Sequence, residues 1–151
     1  METKIYRILG LLWEHLRNQK DLFYDAEEIW SGLTSQGYSE NDIAGAVSHI
    51  EKTHLELPGP FWSEALPVHR CYTDAEMIAL NRSVRGYLWR LKCRGVIDHA
   101  LEDEIVHKVM NLDEPAGIRE TKTVAALTVF GYEHRANEEQ NPTSKPGSYL
   151  N

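Results

Sequence analysis

Apolar residues recur through most of the chain at the three- and four-residue spacing that places them on one face of a helix. The first such face lies within residues 5–16: Ile5, Ile8, Leu9, Leu12, Trp13 and Leu16. A second face follows the candidate N-cap Asp25, and a third follows residue 40: Ile29, Trp30, Leu33, Ile43, Ala46, Val47 and Ile50. This periodicity predicts three amphipathic helices at the start of the chain.

The connection between the second and third predicted helices has the residues of a tight turn. Gly37 can end the second helix in a left-handed conformation at little cost, and Ser39 with Asp42 forms a short capping box for the third. Three helices with such a turn outline a helix-turn-helix, and a hairpin after the third would complete a winged helix.

Residues 54–72 interrupt the helical period. Pro58, Pro60 and Pro67 each remove a backbone donor and exclude a continuous helix. The alternating segments 55–57 and 68–72 favour a short two-stranded β-hairpin, and a structured loop is the alternative that stays open.

The clearest local signal in the chain covers residues 72–77. Thr73 is a predicted N-cap, Glu76 closes its capping box, and Tyr72 with Met77 forms a hydrophobic staple. The pattern predicts one helix over 73–95, ended by Gly95. Six residues form its predicted core face: Met77, Leu80, Val84, Tyr87, Leu88 and Leu91.

Two more helices are predicted in the C-terminal part. Asp98 is a candidate cap for the first, and three acids near its start suit the positive end of the helix dipole: Glu102, Asp103 and Glu104. The second is predicted from about Arg119, although its apolar run 123–130 also suits a strand. From Gly131 onward the chain is polar, which predicts a disordered tail.

The predicted fold class is therefore mainly α. A winged-helix-like part with a possible short β-hairpin covers residues 1–72, and a C-terminal helical part over 73–133 packs on it as one globular unit. The polar tail covers residues 134–151.

Composition sets the broad class of the protein. Of 151 residues 42% are hydrophobic, which excludes a fully disordered chain. A mean hydropathy of −0.46 without a long apolar run argues against a membrane span. No secretion signal is visible, and two cysteines fit a reducing compartment, so we expect a cytoplasmic protein. Cys71 and Cys93 are predicted to be small buried core residues.

Charge is distributed unevenly along the chain. The net charge is −7, yet residues 67–97 hold six Lys and Arg against two Asp and Glu, a net +4. The basic stripe predicted on the 73–95 helix is a candidate binding surface for a partner or a phosphate: Arg82, Arg85, Trp89, Arg90, Lys92 and Arg94. The simpler interpretation is a solvated helix face, or ion pairs with acids elsewhere in the chain.

The charge of the candidate recognition helix disfavours sequence-specific binding in the major groove of DNA. Residues 40–53 carry Glu40, Asp42 and Glu51 against only Lys52, whereas contact with phosphates needs cations.

Residues with the spacing of known catalytic or metal sites are not found in the sequence. It has no Gly-rich phosphate loop, nucleophile elbow or Ser/His/Asp order. His69 and Cys71, with Cys93 or His99 as further ligands, lack the paired spacing of a structural zinc site. We expect no catalytic residue, no metal and no cofactor, and hence not an enzyme.

A family resemblance rests on several short motifs. They are Arg70-Cys71-Tyr72-Thr73-Asp74-Ala75-Glu76 with Leu80, Arg85-Gly86-Tyr87-Leu88 with Leu91, Glu104-Ile105-Val106, and Leu112-Asp113. The N-terminal part adds Asn41-Asp42-Ile43 and Ile50-Glu51-Lys52. Over most of residues 1–130 the chain resembles the bacterial Smg family.

The resemblance implies a small, acidic, mostly helical cytoplasmic protein whose biochemical role is not established. Genes of that family often lie near those of a DNA-processing protein and a topoisomerase, which implies an association with DNA metabolism. Smg proteins usually continue with a further apolar helix, whereas this chain is polar after Phe130.

These observations together predict a non-enzymatic protein-interaction or regulatory protein with an unidentified protein partner and no membrane association. The alternative is a nucleic-acid-associated protein that binds phosphates through the basic stripe.

Overall fold

The described part of the chain is mainly helical, as predicted. The computed structural model describes residues 2–113 and 115–140, and within them it has seven helices and no strand. The helices are α1 (Glu2–Arg17), α2 (Ala26–Ser35), α3 (Glu40–Leu55), α4 (Asp74–Ala79), α5 (Arg82–Cys93), α6 (His99–Met110) and α7 (Ile118–Gln140). Helix α7 packs mainly against α3 and α6, and α1 packs against α3. Buried residues from both predicted helical parts form one core.

Three of the four predicted N-caps make a side-chain cap hydrogen bond, whereas Asp25 precedes α2 without one. The hydroxyl of Ser39 accepts a hydrogen bond from Asp42 N at 3.2 Å, and that of Thr73 accepts one from Glu76 N at 3.1 Å. Both capping boxes are complete, because each acid also accepts the backbone N–H of its cap. Asp98 likewise caps α6 through Leu101 N.

The predicted 73–95 helix is in fact two helices, α4 and α5. Leu80 is extended (φ −109°, ψ 106°), and the side chain of Asn81 accepts a hydrogen bond from Val84 N at 2.9 Å. Asn81 is thus a second N-cap, and it starts a new helix only eight residues after Thr73. Met77, predicted on the core face, is 48% exposed because α4 does not continue the face of α5.

The predicted hairpin after α3 is not formed, so the described chain has no wing. Residues 56–73 are a loop without strand pairing, which we call the long loop. Gly59 N donates to Arg94 O at 3.0 Å and Phe61 N to Gly95 O at 2.9 Å. Backbone N–H groups of the long loop therefore hydrogen-bond to carbonyls at the end of α5 instead of to a second strand.

Helix α7 begins where predicted and ends later than predicted. Every residue from Val124 to Phe130 is buried, which explains why the apolar run has no helical period: a helix surrounded by others is apolar on all sides. The helix continues to Gln140, so residues 134–140 are helical where a tail was predicted. His134 is buried, with its ring 4.2 Å from that of Trp13. The rest of the predicted tail, residues 141–151, lies outside the described residues.

Candidate functional site

The predicted basic stripe is divided between two flanks of α5. Arg85, Trp89 and Lys92 face segment 68–72 of the long loop. Arg90 and Arg94 line a cavity with residues of α3 and α7, and Arg82 is exposed at the first turn of α5. The stripe is therefore not one continuous exposed surface.

Lys92 is part of a buried ion pair, which corrects its predicted place on an exposed face. Its Nζ lies 3.0 Å from Glu102 Oε1 on α6, and the two side chains are 4% and 1% exposed. Nζ also donates a hydrogen bond to Val68 O at 2.6 Å. In the sequence Glu102 stands among three acids near a helix start, and spacing along the chain does not show which of them turns inward.

Arg85 and Trp89 are also engaged within the protein. Arg85 Nε donates a hydrogen bond to Leu80 O at 3.0 Å, and its guanidinium lies 6.0 Å from the ring centroid of Tyr72. The rings of Trp89 and His69 lie 4.5 Å apart at 35°. Both side chains are half-buried, so this flank joins α5 to the long loop.

The opposite flank of α5 borders a cavity of about 320 Å³, which we call the Tyr87 cavity. Its lining comes from α3, α5 and α7 and from the residues directly after α3 and α5: Glu51, Leu55, Glu56, Tyr87, Arg90, Arg94, Ile118 and Lys122. Arg90 Cζ and Lys122 Nζ lie 5.9 Å and 5.7 Å from the ring centroid of Tyr87. The sequence pattern did not indicate Lys122, because only the tertiary fold brings α7 beside α5.

Tyr87 itself is a poor candidate for acid–base chemistry. Burial raises the pKa of its phenol to about 12, so the hydroxyl stays protonated at neutral pH. In this position the ring serves as an apolar and cation-binding surface.

A second concave surface lies between the long loop and the α5–α6 connection, and we call it the loop cleft. It has a volume of about 550 Å³ and a mostly apolar lining: Phe61, Ser63, Ala65, Leu66, Pro67, Val68, Lys92, Cys93, Ile97, Asp98 and His99. Leu66 and Val68 are 81% and 83% exposed at its edge. These residues were not predicted as a site; their only sequence signal is apolar side chains in a proline-rich loop.

The two cysteines are less buried than predicted. Cys71 is exposed in the long loop, and Cys93 is half-buried in the wall of the loop cleft. Both are free thiols.

Arg70 organises a third polar cluster, between the long loop, α4 and α6. Its Nη2 lies 3.0 Å from Glu76 Oε2, and its Nη1 pairs with Asp103 Oδ1. The hydrogen bond from Arg70 holds the pKa of Asp103 below its usual value. The backbone N–H of Thr73, together with Arg70, lowers the pKa of Glu76. These pairs hold α4 against α6, so the cluster has a clear structural role.

The described residues show neither a metal-binding group nor a membrane-spanning helix. No three of their His, Cys, Asp and Glu side chains are grouped as ion ligands would be. No helix within residues 2–113 and 115–140 is long and apolar enough to cross a membrane.

Comparison with known proteins places the chain in a family. The family described as "Protein of unknown function (DUF494)" matches residues 5–142. "Protein Smg homolog" of Shewanella loihica is 32% identical over 133 residues, covering 83% of each chain. "Protein Smg" of Serratia proteamaculans is 27% identical over 138 residues, covering 85% of this chain and 88% of the relative.

No solved structure matches the chain. The family match covers nearly all of the described residues, including α5 and both concave surfaces. The sequence motifs, the mainly helical fold and these relatives agree, and the chain belongs to the Smg family, DUF494.

Proposed function

We propose that this Smg-family chain is a non-enzymatic protein-interaction protein, and that its partner docks in the loop cleft. The observation that carries the proposal is the exposure of large apolar side chains beside a concave apolar surface. Leu66 and Val68 line the cleft and are 81% and 83% exposed, and Leu57 and Trp62 of the same loop are 61% and 58% exposed. Clustered apolar exposure of this kind is typical of interaction sites.

The charges around the cleft favour a basic partner segment. The cation in its wall, Lys92, is already paired with Glu102. Asp98 lines the cleft, and Glu64 is exposed between two lining residues. The occupant proposed is therefore an amphipathic helix of a partner protein, with aliphatic residues on one face and Lys or Arg beside them.

The long loop is well held for such a role. Its backbone hydrogen bonds to Arg94 O and Gly95 O, and the bond from Lys92 to Val68 O, attach it to α5 at several points. A pre-formed surface loses less conformational entropy when a partner binds.

Site-specific photo-crosslinking tests this proposal. A photoreactive amino acid replaces Leu66 in the full chain, expressed in its native host, and the crosslinked partner peptide is mapped by mass spectrometry. The expected product is one protein crosslinked through a basic amphipathic segment. Val68→Ser in the same chain should reduce the yield about tenfold, as loss of an important apolar contact at an interface does.

Ile78 provides the matched control. It is 86% exposed on α4 and does not line the cleft. The same photoreactive residue placed at position 78 should not give that product. Ile78→Ser, added to the chain that carries the probe at position 66, should leave the yield of that product unchanged. Equal products from positions 66 and 78, or a mapped acidic segment, would overturn the proposal.

The nucleic-acid alternative has less support. Of the six stripe residues, Lys92 is buried in an ion pair and Arg85 and Trp89 contact the long loop. The exposed cations left on α5 are Arg82 and Arg90, whereas specific binding to a duplex usually depends on many phosphate contacts.

A further inference from the structure

The Tyr87 cavity combines features that favour an anion. Three cations line it: Arg90 and Arg94 from the end of α5, and Lys122 from α7. Within the described part of the chain none of them has a carboxylate within ion-pair distance, whereas Lys92 and Lys108 elsewhere are paired. Three unpaired cations at one concave surface raise the local positive potential.

Arg94 adds an unsatisfied donor. Its Nε is buried and has no hydrogen-bond partner, and its Nη1 reaches only Glu56 O, at 3.5 Å. A buried donor without an acceptor is destabilising, because it loses its hydrogen bond to water and forms none within the protein. An acceptor atom supplied by a ligand would remove that cost.

The start of α7 adds a positive dipole end. Helix α7 has 23 residues, and Ile118 in its first turn lines the cavity. Gly117 precedes it and has no side chain to cap the first N–H groups; its own N–H donates to Glu120 Oε2 at 3.0 Å. The dipole of a long helix favours an anion at this end, where the carboxylate of Glu120 already lies.

Two acids on the opposite wall restrict the kind of anion. Glu51 and Glu56 line the cavity beside the three cations, so its net charge is only about +1. A long polyanion would have to pass these two acids. A small ligand with its charge concentrated near Arg90, Arg94 and Lys122 avoids them.

Part of the cavity lining is apolar. Leu55 and Tyr87 are buried, and Ile118 is half-buried. A bound molecule would therefore have an apolar portion as well as an anionic group.

We propose that the Tyr87 cavity binds a small phosphate ester. Arg90, Arg94 and Lys122 contact the phosphate near the positive end of the α7 dipole, and Leu55 and Ile118 contact the apolar portion. This site lies on the flank of α5 opposite the loop cleft, so its test is independent of the docking proposal.

The probe is phenyl phosphate, added to the full chain at millimolar concentration. Two-dimensional NMR measures the chemical-shift changes that it causes. The expected shifts are confined to Tyr87, the end of α5 and residues 118–122. Arg90→Gln and Lys122→Gln each remove one exposed cation and should weaken binding about tenfold, the usual effect of losing a charge-assisted contact. Arg82→Gln, on the same helix outside the cavity, should leave affinity unchanged.

Glu51→Gln distinguishes binding in the Tyr87 cavity from binding elsewhere on the protein. In the cavity, removing this acid should strengthen binding of phenyl phosphate about threefold by Coulomb's law in a largely aqueous surrounding. An unchanged affinity would show that the probe binds away from Glu51 and would contradict the proposal.

Three other results would also overturn the proposal. The first is no shift with phenyl phosphate, and the second is shifts that Arg82→Gln reduces as much as Arg90→Gln does. The third is displacement of the probe by short single-stranded oligonucleotides, with an affinity that rises with their length. That result would mean that the three cations bind a nucleic-acid backbone.

Discussion

Lys92 and Glu102 bring opposite charges into the interior between α5 and α6, and Val68 O of the long loop accepts a further hydrogen bond from the same ammonium group. Transfer of a charge from water to a protein interior costs free energy, and the partner charge and hydrogen bonds offset it. One side chain thus connects two helices and a loop. The same loop carries the apolar residues of the proposed docking surface.

Loss of one member of this pair should be strongly destabilising. We expect Lys92→Met to lower the free energy of unfolding by about 3–5 kcal/mol, because the Glu102 carboxylate remains buried without its partner. Urea denaturation measures the change.

Two variants control this experiment. Arg82→Met removes an exposed cation of the same helix and should change stability by no more than about 0.5 kcal/mol. The double change Lys92→Met with Glu102→Leu should recover most of the loss, since no unpaired charge remains. A Lys92→Met protein as stable as Arg82→Met would show that the pair contributes nothing.

At the scale of elements, the long loop and the α5–α6 turn cross at two glycines. A Cβ on Gly95 would lie 2.2 Å from Trp62 N, and one on Gly59 would lie 2.4 Å from Gly95 O. Gly95 also has φ +71°, a left-handed conformation that other residues adopt at a cost. Gly95 therefore ends α5 and at the same time lets the loop approach its backbone.

Alanine substitutions at Gly95 and Gly86 test whether the backbone crossing requires glycine at position 95. We expect Gly95→Ala to lower the free energy of unfolding by about 3 kcal/mol, since both the contact and the dihedral angle are unfavourable. The measurement is thermal or urea denaturation.

Gly86 is the matched control, because it lies within α5 and a Cβ there meets nothing within 4 Å. Gly86→Ala should raise stability by about 0.5–1 kcal/mol through helix propensity. Similar destabilisation by both variants would mean that the crossing of the two backbones is not what requires Gly95.

Helix boundaries were predicted well wherever the signal was local. Thr73 and Glu76 hydrogen-bond to each other within a single turn, so the interaction is already visible in the spacing. The break at Asn81 was missed because the apolar spacing from Leu80 onward continues without a gap, and only the extended Leu80 shows that the helix has restarted. The hairpin was wrongly expected because carbonyls of the alternating segments accept hydrogen bonds from side chains at the end of α5: Glu56 O from Arg94 and Val68 O from Lys92.

At the scale of the whole molecule, α7 joins the parts of the chain by packing on α3, α6, α5 and α1. Its last turns look polar in the sequence, yet residues from other helices contact them. His54 Nδ1 on α3 lies 2.6 Å from Glu133 Oε2, and Trp13 on α1 covers His134. The globular unit therefore extends beyond the predicted limit at residue 133.

His134 tests that extension. We expect His134→Ala to lower the free energy of unfolding by about 2 kcal/mol, because it leaves space against Trp13 in a buried position. The neighbouring Arg135→Ala should have little effect, since Arg135 is 54% exposed and lies 4.0 Å from Glu104. If the denaturation curves of the two variants coincide, the packing of His134 on Trp13 does not contribute to stability.

The sequence by itself determined the helical class, most helix starts and the family, because those depend on periodicity, capping and motifs within a few residues. It also located an excess of positive charge at 67–97. Only the tertiary structure decided what that charge does: it buried Lys92 against Glu102, placed Trp89 on His69, and brought Lys122 beside Arg90. Each of these depends on which helix faces packed together, and a pattern along one chain does not contain the distances between its distant parts.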